Sequence, residues 1–253
     1  MTEAVVTVGI DVASQPAKTA ACQVSWDGTT ATVERVENDV DDGRLTEILT
    51  EPVGKIGLDV PLGWPDAFVE AVGRHHIGRA FGDVDIKRLA TRETDRWVNG
   101  LRAELHPLSV SADRIAYPAM RMARILGELT DAPLDRTGAE KIVEVYPAAA
   151  LRVWGLRHRG YKGKAGRPLL MALAADLRGG CPWLLTPDAT WDEVCHTDHT
   201  FDALVCALVA RAQQRDLCHA IPPALHERAG REGWIAVPLP GSLDRLPSGP
   251  AVR

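Results

Sequence analysis

Residues 55–65 read KIGLDVPLGWP. Apolar residues fill most of the run, one carboxylate (Asp59) sits inside it, and Pro61 and Gly63 break it at once. A short apolar run bounded by turn residues predicts a buried strand. A charge at the end of such a strand is costly unless something compensates it, so either a cation faces Asp59 or the position is functional. The first strand poses the same question. Residues 4–12, AVVTVGIDV, are a nearly continuous β-rich run that closes on Asp11.

Outward from these two runs the organisation follows. KTAACQVSW (18–26), a turn at Asp27-Gly28 and the alternating TATVERVE (30–37) complete a three-stranded meander. Strand 1 is apolar on both faces and therefore central, whereas strand 3 suits a sheet edge. A short helix near 42–50 leads into the strand at 55–60, KIVEVY (141–146) gives a further strand, and helical patterns finish the chain. This order predicts an α/β fold with a mixed five-stranded sheet flanked by helices. Strands 1 and 4 would lie parallel about 4.8 Å apart, placing Asp11 and Asp59 where ligands bind in open α/β sheets. One domain is expected over residues 1–240, with a mainly helical insertion at about 64–140. The Pro-, Gly- and Ser-rich end, residues 241–253, is expected to be a flexible tail.

The last helix, HTDHTFDALVCALVARA (196–212), repeats Phe201, Leu204, Val205, Leu208 and Val209 at helical spacing, with small residues on the other faces. It is a buried helix. Asp198 and Asp202 are one turn apart near its start and share a stripe.

At 253 residues, 45% hydrophobic and 25% charged, the chain suits a soluble globular domain. No run is long enough to cross a bilayer and no basic region precedes an apolar one, so a cytoplasmic location without membrane partners is expected. Five cysteines without a CxxC pair point to free thiols. A net charge of −5 argues against indiscriminate binding of polyanions.

Acids from remote segments thus close buried elements: Asp11, Asp59, and Asp198 with Asp202, with Glu144 in VEVYP a further candidate. Drawn together without a counter-ion they would repel and take up protons. All-oxygen ligands favour Mg²⁺ or Mn²⁺. Each acid also has a plainer role open to it, Asp11 in a turn and Asp198 as an acid suited to a helix N-terminus. Asp202, already a turn inside an apolar helix, resists that best. In CHTDH (195–199) a zinc site would lack a second ligand pair at finger spacing. The glycine-rich stretch GLRHRGYKGKAGR (155–167) describes a mobile basic loop able to reach phosphates. Arg88, Arg92 and Arg96 recur every fourth residue, as a helical stripe would. Trp64 and Trp97 are candidates for a substrate groove.

GIDVA, GLDVPLGWP, RETDR, VEVYP, YKG and HTDHTFDALVCALVAR, in this order, resemble a family of predicted RNase H-like nucleases in the RuvC-like branch of the ribonuclease H-like superfamily, over most of residues 4–238. The resemblance implies strand order 3-2-1-4-5 with strand 2 antiparallel, and hydrolysis of nucleic-acid phosphodiesters by a two-metal-ion mechanism. It implies Asp11, Asp59 and Asp202 as metal ligands, Asp11 bridging, with Asp198 an additional ligand or orienter. It further implies Arg92, Asp95, Arg96 and Lys162 as substrate-facing residues, and a homodimer as in resolvases. His196 or His199 could carry a proton. One departure stands out: RuvC-like nucleases usually carry Glu at the strand 4 position, where this chain has the shorter Asp59, and Glu144 could make up the reach. The fold also hosts inactive members, so a catalytically silent nucleic-acid or partner binding protein is a rival reading. An actin-like phosphotransferase begins similarly, but GIDVASQPAK lacks its glycine-rich phosphate turn.

Overall fold

The computed structural model describes residues 5–130 and 132–247. Alternation sorts the first strand, β1 (Val5–Asp11): Val8 and Ile10 enter the core on one face, while Thr7, Gly9 and Asp11 turn to the other. β2 (Ala20–Asp27) pairs antiparallel with β1, and β3 (Thr30–Glu37) antiparallel with β2 at the edge. After α1 (Asp42–Thr50), capped by the Asp41 carboxylate on the Arg44 amide, β4 (Lys55–Asp59) runs parallel to β1. The insertion follows as α2 (Asp66–His76), α3 (Ile86–Ala90), α4 (Glu93–Leu101) and α5 (Ala116–Leu129). β5 (Ile142–Val145) then pairs parallel with β4. The chain closes with α6 (Pro147–Val153), α7 (Arg167–Gly180), α8 (Asp188–Val194), α9 (Asp198–Gln214), α10 (His226–Glu232) and β6 (Ile235–Ala236).

The sheet order is β3-β2-β1-β4-β5-β6, with β2 alone running against the rest, an RNase H-like sheet with one strand more than the five expected. β6 adds to the edge of β5 through Glu144–Ile235 and Val145–Ala236. Two residues are too short for any periodic signal, which is why sequence pattern alone misses it.

Helices cover both faces. Val8, Ile10, Ile56 and Leu58 pack under α1 and α5, whose Leu45, Ile48, Met122 and Ile125 are fully buried. On the other face α9 lies across β1, β2 and β4. Its approach is unusually close because Gly9 and Gly57 face each other across β1 and β4. A Cβ on Gly9 would collide with the Ala203 carbonyl, and one on Gly57 with the Cys206 carbonyl. Helix backbone therefore touches strand backbone, and Thr7 Oγ1 donates to the Ala207 carbonyl at 3.1 Å. Asp11 and Asp59 lie two residues beyond the glycines on the same face, so the docking that the glycines permit brings α9 to the acids.

Several expectations are corrected here. Arg88, Arg92 and Arg96 form no single stripe, because the chain turns between α3 and α4 and Arg92 is the residue preceding α4. The basic loop at 155–167 is pinned: Arg159 donates to the Glu104 carbonyl, and Arg167 to the carbonyls of Cys195 and of His196, the latter at 2.7 Å. Nor is the described part of the tail loose. Leu246 is fully buried, Ser242 Oγ accepts from Trp154 Nε1 at 2.9 Å, and Arg215 donates to the carbonyls of Arg245, Leu246 and Pro247. Residues 248–253, the rest of that expected tail, lie outside the described residues. Among the described residues no helix is long and apolar enough to cross a membrane, and all five cysteines are free and buried.

Candidate metal centre

Asp11 and Asp59 are Cα partners at the matching ends of β1 and β4, and Asp202 projects from the second turn of α9. One carboxylate oxygen of each lies within 4.8 Å of the other two. Asp202 is fully buried, Asp11 nearly so and Asp59 half-buried. Burial, and then Asp11, push the Asp59 carboxyl well above the ordinary carboxylate range. Burial also raises Asp202, against the pull of Lys162.

Their partners are few. Tyr161, from the stretch before α7, donates its hydroxyl to Asp202 Oδ1 at 2.7 Å. Lys162 Nζ stands 2.6 Å from Asp202 Oδ2. The Lys162 side chain is 55% exposed; desolvation at its ammonium end works against the charge, but Asp202, Asp59 and Asp11 hold it protonated. The approach is an ion pair without hydrogen-bond alignment, and Asp202 Oδ2 has no hydrogen-bond partner. His199 Nδ1 lies 2.8 Å from Asp11 Oδ2, and this hydrogen bond raises the imidazole pKa. Among the described residues no hydrogen bond or ion pair reaches the Asp59 carboxylate. An all-oxygen set in which one ammonium serves three carboxylates, and Asp59 goes unbonded among the described residues, fits a hard divalent cation.

Glu144 does not join this group. It is the Cα partner of Leu58, whose side chain enters the opposite core, so strand alternation carries it to the other face from Asp59. There it meets Arg92. The guanidinium uses all five N–H donors: on Asp95 at 2.9 and 3.2 Å, on Glu144 at 2.6 and 2.8 Å, and on the Glu232 carbonyl at 3.2 Å. The Leu62 amide completes Glu144 at 3.0 Å. Arg92 and Asp95 border the cavity below but are buried and mutually satisfied, so the expected substrate-facing roles give way to a structural one. Arg96 bonds Glu93 Oε2 at 2.7 Å and the Thr91 carbonyl, and does not line the cavity.

The cavity over the acids is about 580 Å³. Asp198 and His199 line it from α9 and Lys162 from the loop before α7, while Pro107, Leu108 and Ile115 close it from the insertion. His196 faces elsewhere, leaving His199 as the histidine of the site. Trp64 and Trp97 do not line this cavity. Trp64 packs against the core under α5, and Trp97 against Trp234 and His219 at centroid distances of 5.0 and 5.6 Å.

Sequence reading missed Tyr161, Arg114 on the cavity rim, and the two glycines. The glycines leave a signal, since Gly-x-Asp occurs at the end of both strands, in GIDVA and GLDVP, and Tyr161 opens the YKG motif from which only Lys162 is drawn. Neither the curated proteins nor the solved structures give a match to this chain. A family model described as protein of unknown function (DUF429) matches residues 9–227, a span that holds all three clustered acids, and the chain belongs to that family.

Proposed function

We propose that the chain is a Mg²⁺- or Mn²⁺-dependent nuclease or phosphodiesterase that hydrolyses nucleic-acid phosphodiester bonds. The observation that carries this reading is the meeting of Asp11, Asp59 and Asp202, drawn from three separate elements to within 4.8 Å with too few donors among them. The RNase H-like strand order and the motifs that resemble RuvC-like nucleases support it.

Asp11, Asp59 and Asp202 would hold the cation. When bound, it supplies Lewis-acid activation of the phosphoryl group and of the attacking water. The chain's own groups do the rest. Lys162 places a positive charge beside Asp202, facing the phosphoryl oxygens. His199, with its ring held by Asp11, lines the cavity and is the group to carry the proton. Water oxygen bonds to phosphorus and loses its proton to His199; the P–O bond to the leaving alcohol breaks, that oxygen takes a proton from solvent, and His199 returns its own to solvent. No covalent intermediate with a side chain is required.

The test combines Mn²⁺ calorimetry, melting and cleavage of single-stranded, duplex and branched substrates. Wild type should bind Mn²⁺, melt higher with it and cleave. Asp202→Asn should fold and lose all three responses. Absence of both Mn²⁺ binding and cleavage in wild type would sink the reading. Mn²⁺ binding without any cleavage would identify a silent member of the fold.

A further inference from the structure

The cavity walls carry information on what is cleaved. Its volume of about 580 Å³ is that of a small-molecule site, roughly 300–1,000 Å³. The insertion contributes Pro107, Leu108, Arg114 and Pro118 to its lining, so the strand ends are walled rather than laid bare. A polymer also needs a positive groove that follows its backbone. The basic residues lining this cavity are Arg92, Arg114 and Lys162, too few for such a groove. The net charge is −5, Arg159 and Arg167 are spent on backbone carbonyls, and Arg92 is saturated.

What the walls do offer is divided in two. Asp11, Asp59, Asp198, Lys162 and His199 give the cavity polar and charged groups. Pro61, Pro107 and Leu108, the last 43% exposed, give it apolar surface, together with the half-buried Tyr146 ring. Aromatic rings are the usual platforms for bases, because every base has a π-face. At the rim stands Arg114. Its exposed guanidinium has no hydrogen bond or ion pair among the described residues, unlike Arg92 and Lys162, so it can fork onto a phosphate.

We infer that the cavity takes a single nucleotide unit, its base between Tyr146 and the proline-lined wall and its phosphate between the acid cluster and Arg114. The phosphodiester hydrolysed is therefore that of a chain end or of a small nucleotide ester, not one inside a duplex. This rests on the phosphodiesterase reading above. Water adds to phosphorus, the P–O bond to the rest of the chain or to the ester alcohol breaks, and a nucleoside monophosphate and an alcohol result.

Binding and cleavage together test it. Thymidine 5′-monophosphate, titrated calorimetrically with Mn²⁺ present, should bind wild type. Arg114→Ala and Tyr146→Leu should each weaken that binding about tenfold, with Mn²⁺ affinity kept and Tyr146→Phe restoring the wild-type value. Arg114 is exposed, so its variant carries no folding risk. A linear single-stranded oligonucleotide should be trimmed from one end and thymidine 5′-p-nitrophenyl phosphate hydrolysed, while a circular oligonucleotide stays intact; trimming separates a chain-end substrate from a small ester. Cutting of the circle at the rate of the linear strand, or no effect of Arg114→Ala and Tyr146→Leu on nucleotide binding, overturns the inference and leaves the phosphodiesterase reading standing. Loss of Mn²⁺ binding in wild type removes both.

Discussion

Two buried charged clusters sit on opposite faces of the same strand ends, and they are built on opposite principles. Around Arg92, two carboxylates meet four guanidinium donors and two backbone amides, so every oxygen of Asp95 and Glu144 is bonded. Nearby, Glu232 is buried too, its two oxygens accepting from the amides of Asp66 and Glu93 at the starts of α2 and α4. Around Asp202, three carboxylates share Tyr161, Lys162 and His199, and among the described residues no bond reaches Asp59. The first cluster closes on itself and fastens the insertion and α10 to the sheet. The second is unfinished within the chain. Burial of charge therefore does not by itself mark a functional site; burial without satisfaction does.

That contrast can be broken at the Arg92 cluster first. Arg92→Ala strands Glu144 and Asp95 in the core and should cost about 3–5 kcal/mol in chemical denaturation; a loss near zero would mean that the cluster is not structural. Next comes the docking of α9. Gly9→Ala should cost about 1–3 kcal/mol through overpacking and, although it touches no acid, should also weaken Mn²⁺ binding by displacing Asp202; unchanged metal affinity would separate the helix approach from the site. Opposite in sign, Asp59→Asn should stabilise the metal-free protein, because it removes a buried charge and its repulsion with Asp11, and should remove the rise in Tm with Mn²⁺. A destabilised Asp59→Asn would place Asp59 with the satisfied acids. The smallest effect is the control: at Gly127 in α5 an added Cβ meets nothing, so Gly127→Ala should gain about 0.5–1 kcal/mol of helix propensity and leave Mn²⁺ binding untouched.

Much of this was legible in the chain. The apolar runs ending in Asp11 and Asp59, the alternation of β3 and the long apolar stretch around Asp202 led to the central sheet and to the three acids, because burial of regular elements imprints its period on sequence. Glu144 misled for a physical reason. It too closes an apolar strand, but its face is set by register against Leu58, which no local pattern records. Arg92, Asp95 and Lys162 were singled out by motif resemblance; only the fold separates them, sealing the first two together and placing the third against Asp202.

By itself, then, the sequence determined which segments form strands and helices and which acids end them, since these depend on side-chain period and turn chemistry within a few residues. Tertiary structure decided which acids meet, which are neutralised and what stands over them. Those outcomes hang on pairings between residues far apart along the chain, such as Gly9 with Ala203, Arg92 with Glu144 and Lys162 with Asp202, whose energies arise only once the backbone has brought them into contact.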